Sequence, residues 1–199
     1  GRAEPTPLIN YIHAVQRART GAQLSAASVF NPAAGFRAGP IRLADVAGVY
    51  PYENTLRAVR LSGAALKAFL EHSSRYYRTD SLGHVAINDS VAGYNFDIVG
   101  GASYDIDLRL PVGARIRNLM VDGRAVEPTD SFTMAINNYR QSGGGGFPAV
   151  STAPVVYNRQ LDIRQCLIDW VTAHKTIDPS QFASVDWRLV SGGQPITVT

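Results

Sequence analysis

Asp122-Gly123 stands between two short runs, Ile116 to Val121 and Arg124 to Val126. A two-residue loop needs backbone angles that Asp and Gly readily supply, and it joins strands that run antiparallel. The chain therefore folds back on itself where a wound α/β fold would need a helical crossover. Other segments carry the same two-residue period. Tyr104, Ile106, Leu108 and Leu110 alternate with Asp105, Asp107 and Arg109, which predicts a half-buried strand. Phe132, Met134 and Ile136 alternate again, and Thr55 to Leu61 reads as a further strand with imperfect alternation. Three helices are interspersed with these strands. Thr6 and Pro7 mark the start of the first, Leu8, Ile12 and Val15 give its apolar stripe, and Gly21 ends it. The second opens at Ser62 and runs through Leu66, Phe69 and Leu70; the third is expected from Asn158 to His174. Interspersed helices and hairpins predict an α+β fold, a single domain over residues 1–199 with mixed β-sheets flanked by helices.

A length of 199 residues is enough for one sizeable core, and 18 glycines with 11 prolines agree with a chain rich in turns. No stretch approaches the roughly 20 apolar residues that span a bilayer, so no membrane span is expected in this chain. The net charge of +3 is spread rather than clustered. That pattern suits a small anionic ligand and argues against polymeric nucleic acid as the partner. Cys166 is the one cysteine, which excludes an internal disulfide; its neighbours Ile163, Leu167 and Trp170 predict a buried, inert thiol. Gly1 to Thr6 show no export-signal pattern, and the expectation is that the chain begins inside a longer precursor.

Hydrolytic chemistry is hard to find. His13, His72, His84 and His174 lack metal-ligand spacing, and no nucleophile elbow or phosphate-cradling loop occurs. No catalytic residue and no metal ligand is therefore assigned. Three segments instead suggest ligand binding. Gly143-Gly144-Gly145-Gly146-Phe147-Pro148 is either a flexible connection or a stretch of bare backbone that a flat ligand can approach, with Gly144 and Gly145 as contacts. It follows directly on Asn137-Asn138-Tyr139-Arg140, a composition suited to a nucleoside. In Tyr50-Pro51-Tyr52-Glu53-Asn54-Thr55 one tyrosine is expected to pack on the core and one to face outward for stacking. In Asn31-Pro32-Ala33-Ala34-Gly35-Phe36-Arg37 the arginine is either solvated or, if the loop borders the pocket, a phosphate ligand. Glu53, Asn54, Asn138 and Arg140 are further candidates to line that pocket.

Taken in order, these segments resemble the C-terminal domain of the 5′-nucleotidase superfamily. Ala38-Gly39-Pro40-Ile41, Tyr50 to Leu56, Leu61 to Lys67, Tyr94-Asn95-Phe96-Asp97, Arg115 to Leu119 and Asn137 to Phe147 carry the likeness, which runs from Pro7 to about Leu189. Leu24 to Ala27, Tyr94 to Asp97, Asn137 to Arg140 and Asp186-Trp187-Arg188-Leu189 look most like the 2′,3′-cyclic-nucleotide 2′-phosphodiesterase/3′-nucleotidase branch. The resemblance implies that Tyr52 and Tyr139 clamp a nucleobase, with Asn31, Arg37, Gly144 and Gly145 also in the substrate site. It implies no cofactor in this domain. Two divalent metal ions are expected on an N-terminal metallophosphoesterase domain absent from this chain, with which it would partner in binding nucleosides and nucleotides. It also implies a periplasmic or cell-surface parent that hydrolyses phosphoric esters, and an inactive isolated fragment. Two departures stand out. An extra residue separates Asn31 from Arg37, and Gly145 replaces the acidic residue of a Gly-Gly-Asp-Gly-Phe motif typical of the 5′-nucleotidase branch. A parent of the 5′-nucleotidase or UDP-sugar hydrolase type, and a stand-alone binding module without catalysis, are the competing readings.

Overall fold

The computed structural model describes residues 1–80 and 84–196. In chain order the elements are α1 (Pro7–Thr20), β1 (Leu24–Ser28), α2 (Leu43–Val49), β2 (Thr55–Ser62), α3 (Gly63–Ser74), β3 (Tyr77–Thr79), β4 (Val85–Ile87), β5 (Asp97–Gly100) and β6 (Ala102–Asp107). There follow β7 (Ile116–Val121), β8 (Arg124–Ala125), β9 (Ser131–Asn137), α4 (Asn138–Gln141), β10 (Val155–Asp162), α5 (Ile163–His174), β11 (Trp187–Ser191) and β12 (Gln194–Pro195). Two mixed five-stranded sheets result, ordered β10-β2-β9-β1-β5 and β12-β11-β6-β7-β8, with a small β3-β4 pair beside them. β1 runs parallel to β9, and β11 parallel to β6; the remaining pairings are antiparallel. The α+β architecture expected from the hairpin is thus present, as a single domain of mixed sheets and helices.

Local chemistry sets the helix ends. Pro7 occupies the first turn of α1, and Gly21 closes it in the left-handed region (φ 70°), its N–H donating to the Arg17 carbonyl at 2.8 Å. Ser62 caps α3, its side chain accepting from the Ala65 N–H at 3.1 Å. Gly63 must be glycine, because a Cβ there would sit 2.0 Å from the Glu127 carbonyl oxygen. α1 lays Ile12 and Val15 on β1, a central strand buried along its whole length. Among the described residues no helix is long and apolar enough to cross a membrane.

Two expectations need correction. The third helix starts at Ile163, not Asn158; residues 155–162 form the edge strand β10, and Asp162 caps α5 by accepting from the Gln165 N–H at 2.9 Å. The strand around Tyr104 is not half-buried. It ends at Asp107, and Asp105 and Asp107 are both buried. Asp105 is held by Arg188 and Asn118, at 2.6 Å each, so the polar face of the alternation meets protein instead of water. Cys166 is buried as expected, and burial pushes its thiol pKa up.

Candidate functional site

β1 and β9 are parallel, whereas β2 and β5 run antiparallel to their neighbours, so the ends of β1 and β9 and the beginnings of β2 and β5 meet at one edge of the first sheet. Leu56 pairs with Asn137 and Ser28 with Asp97 at that edge. The residues just outside these strands are Phe30, Tyr52, Tyr94 and Tyr139, and together they wall a cavity of about 300 Å³. Asn54, Asn137 and Arg140 complete its lining. Such a volume lies at the small end of ligand pockets.

The two tyrosines of the 50–55 segment divide as the sequence suggested. Tyr50 is buried, and burial pushes its phenol pKa up. Tyr52 is 46% exposed, with its ring edge-on to Phe30 at 4.9 Å and 78°. Phe30 also meets Tyr50 edge-on at 5.0 Å, so it wedges between the two rings. From α5, Arg164 donates to the carbonyls of Tyr50 (2.9 Å) and Pro51 (2.6 Å), which fixes the backbone that presents Tyr52. Tyr139 is 47% exposed. Gly144 lies behind its ring: a Cβ at that position would fall 2.4 Å from Tyr139 Cε1. The glycine run therefore accommodates the chain's own side chains at close range.

Arg140 lines the cavity but is itself buried, and its donors are spent inside the protein. Nε and Nη2 grip the two Asp97 carboxylate oxygens at 2.9 and 2.8 Å. Nη1 donates to Asn95 Oδ1 (3.1 Å) and the Gly144 carbonyl (2.7 Å), and Nη2 also donates to the Tyr94 carbonyl (2.9 Å). All five guanidinium N–H groups are thereby used. Its Cζ also lies 4.1 Å from the Phe147 ring centroid. The asparagines are similarly committed. Asn137 Oδ1 accepts from the Arg140 N–H at 2.7 Å, and Asn138 Oδ1 accepts from the Thr55 N–H at 2.9 Å, tying β9 to β2. Gly145 has φ 74°, and a Cβ there would meet Arg140 Nη1 at 2.2 Å and Asn95 Oδ1 at 2.6 Å. Any side chain at 145 would have to displace these two groups and adopt a φ that L residues rarely take, so glycine suits the position in this chain. The Gly145 carbonyl accepts from His72 Nε2 at 2.8 Å, and burial lowers the His72 pKa.

Asn31 and Arg37 lie elsewhere. They line a larger cavity of about 780 Å³ on the other side of Phe30, which is common to both. Asn31 Oδ1 accepts from the Ala33 N–H (3.0 Å) within its own turn, and Arg37 is exposed. Glu53 is exposed and does not line the smaller cavity. Sequence reasoning missed Phe30 and Tyr94 as site residues, although Tyr94 opens a segment already singled out and Phe30 directly precedes Asn31. Aromatic faces and amides make the smaller cavity fit to hold a planar ring. Its lining has no carboxylate, imidazole or thiol, and among the described residues no three His, Cys, Asp or Glu side chains gather closely enough to hold a metal ion.

Comparisons with known proteins bear on the family and the fold. The family model described as "5′-nucleotidase, C-terminal domain" matches residues 1–152. The trifunctional nucleotide phosphoesterase protein YfkN of Bacillus subtilis is 32% identical over 173 residues, covering 78% of this chain and 12% of that protein. A 2′,3′-cyclic-nucleotide 2′-phosphodiesterase/3′-nucleotidase of Haemophilus influenzae is 30% identical over 178 residues, covering 80% of this chain and 26% of that protein. Among solved structures, a Staphylococcus aureus protein described as a 5′-nucleotidase, crystallised with α-ketoglutarate, superposes with a TM-score of 0.86 at 30% identity. It is matched over 94% of this chain and 37% of its own. The chain thus spans about a quarter or less of the length of these two curated relatives.

Proposed function

The chain belongs to the 5′-nucleotidase C-terminal domain family, and from that premise we propose that it is the substrate-recognising domain of a nucleotide hydrolase. The favoured type is a 2′,3′-cyclic-nucleotide 2′-phosphodiesterase/3′-nucleotidase that works in the periplasm or at the cell surface. The nucleobase inserts between Tyr52 and Tyr139. Gly144 gives the Tyr139 ring its seat, and Gly145 leaves room for the arginine beneath. Arg37, exposed beyond Phe30, takes the phosphate, and Asn31 shapes the loop that carries it. Hydrolysis belongs to a separate N-terminal metallophosphoesterase domain. There, two divalent ions would activate water and stabilise the leaving oxygen. Among the described residues no cluster of side chains fits such a centre, so the contribution proposed for this chain is to bind and orient.

The observation that carries this reading is that two half-exposed tyrosines, far apart in sequence, line one small cavity. Glycine at 145, where the 5′-nucleotidase branch carries an acidic residue, and the similarity to a cyclic-phosphodiesterase relative support that branch over the 5′-nucleotidase and UDP-sugar hydrolase alternative. Calorimetry with adenosine and 3′-AMP tests the clamp. Removing one ring in Tyr52→Ala or Tyr139→Ala should cost about 1–3 kcal/mol of binding, roughly 5- to 150-fold in Kd. Equal binding by wild type and both variants would falsify the clamp.

A further inference from the structure

The cavity of about 780 Å³ has more than twice the volume of the base cavity, and the nucleotide reading uses only Asn31 and Arg37 of its lining. Its walls are the first turns of α1, the 29–41 loop and the segment after α5. Those walls are pinned in place. Asn10 Nδ2 donates to the carbonyls of Phe182 (2.8 Å) and Ser184 (2.9 Å), and the Tyr11 hydroxyl donates to the Leu167 carbonyl (2.8 Å). The Tyr11 ring meets Phe36 and Phe182 edge-on at 5.9 and 5.6 Å. A cavity framed this way exists before a ligand arrives, which spares the cost of ordering it.

The lining is apolar through Leu8, Ile12, Phe36, Ile41 and Phe182. Its charged side chains are Arg37 and Lys175, and no acidic residue faces them among the described residues. Neither side chain has a hydrogen-bond or ion-pair partner among the described residues. Lys175 also sits at φ 63°, a left-handed conformation in which glycine would be cheaper than lysine. Strain of this kind is retained where a side chain has work to do.

We propose that this cavity is a second ligand site, for an amphipathic anion whose apolar chain fills the pocket and whose carboxylate or phosphate pairs with Lys175. The site is separate from the base clamp, and it leaves Arg37 to the nucleotide. An apolar body in a mostly apolar, preformed pocket with one or two oriented polar groups is the usual recipe for small-molecule recognition.

Titrating the 199-residue chain with decanoate, decyl phosphate and 1-decanol by calorimetry, below their aggregation limits, tests this. One equivalent of decanoate or decyl phosphate should bind, with decanol at least tenfold weaker. The better of the two anions identifies the headgroup. Ala34→Trp, which fills the pocket, should abolish uptake. Lys175→Gly relieves the backbone strain, so it should unfold no more easily than wild type yet bind the anion about tenfold more weakly. Tyr52→Ala should bind the anion as wild type does, so failure of the nucleotide reading and failure of this one register separately. The proposal is overturned if neither anion binds, if decanol binds equally well, or if Lys175→Gly keeps full affinity.

Discussion

Tyr139 and Arg140 are neighbours in sequence with opposite tasks. Tyr139 offers its ring to the cavity, while Arg140 turns inward and spends five N–H donors on Asp97, Asn95, Gly144 and Tyr94. A planar fork suits that set of acceptors, and a lysine ammonium with three donors does not. Arg140→Lys should therefore destabilise the fold by about 3 kcal/mol, the scale of a disrupted buried ion pair. Tyr139→Ala, at an exposed position, should change stability by less than about 1 kcal/mol. Urea denaturation of the two variants separates a structural arginine from a cavity-facing tyrosine, and equal losses would count against this division. The sequence disclosed the aromatic but not the division, because Asp97 lies 43 positions away and nothing local marks the arginine as its partner. Phe30 was hidden for the same reason: its role depends on Tyr50 and Tyr52, which reach it only in the folded state.

Elements with local signals were legible. Thr6-Pro7 and Gly21 bounded α1, Ser62 opened α3, and Asp122-Gly123 turned the hairpin. β1 was not legible, since a strand buried on both faces and built of Leu, Ser and Ala shows no alternation. The boundary between β10 and α5 was misread because β10 is an exposed edge strand with register shifts and Gln160 at φ 53°, so neither period is imprinted on it. Where α1 crosses β1, packing creates a titration. His13 is buried against Gly100, its Nδ1 lies 3.0 Å from Ser25 Oγ, and Gln16 donates to the same oxygen at 2.8 Å. Burial, aided by the nearby Arg17 charge, pushes the His13 pKa down to about 3. An unfolded histidine titrates near 6.5, so between these two values only the unfolded chain takes up the proton. Stability due to His13 is complete above pH 6.5 and falls as the pH drops toward 3. From pH 7.5 to 5 wild type should lose about 2 kcal/mol more than His13→Gln, as read from urea midpoints at each pH. Parallel losses in the two proteins would refute the assignment.

At the scale of the whole molecule, the proposed function makes this chain a binding domain whose chemistry lies elsewhere. Incubated alone with 2′,3′-cyclic AMP, 3′-AMP or 5′-AMP, the 199-residue chain should release no phosphate and open no cyclic ester. A protein in which it follows a metallophosphoesterase domain should turn over the cyclic and 3′ substrates faster than 5′-AMP, and a chelator should stop it. Preference for 5′-AMP would move the parent to the other branch. The order β10-β2-β9-β1-β5 has one more consequence. Leu24 must find Met134 as its parallel neighbour before the sheet is complete, and the rings at 30, 52, 94 and 139 are assembled by the same closure. During synthesis the pocket is thus a late product: a nascent chain halted short of residue 139 lacks one jaw however well its earlier helices have formed. On the proposed reading, retention on immobilised nucleoside would accordingly report completed folding.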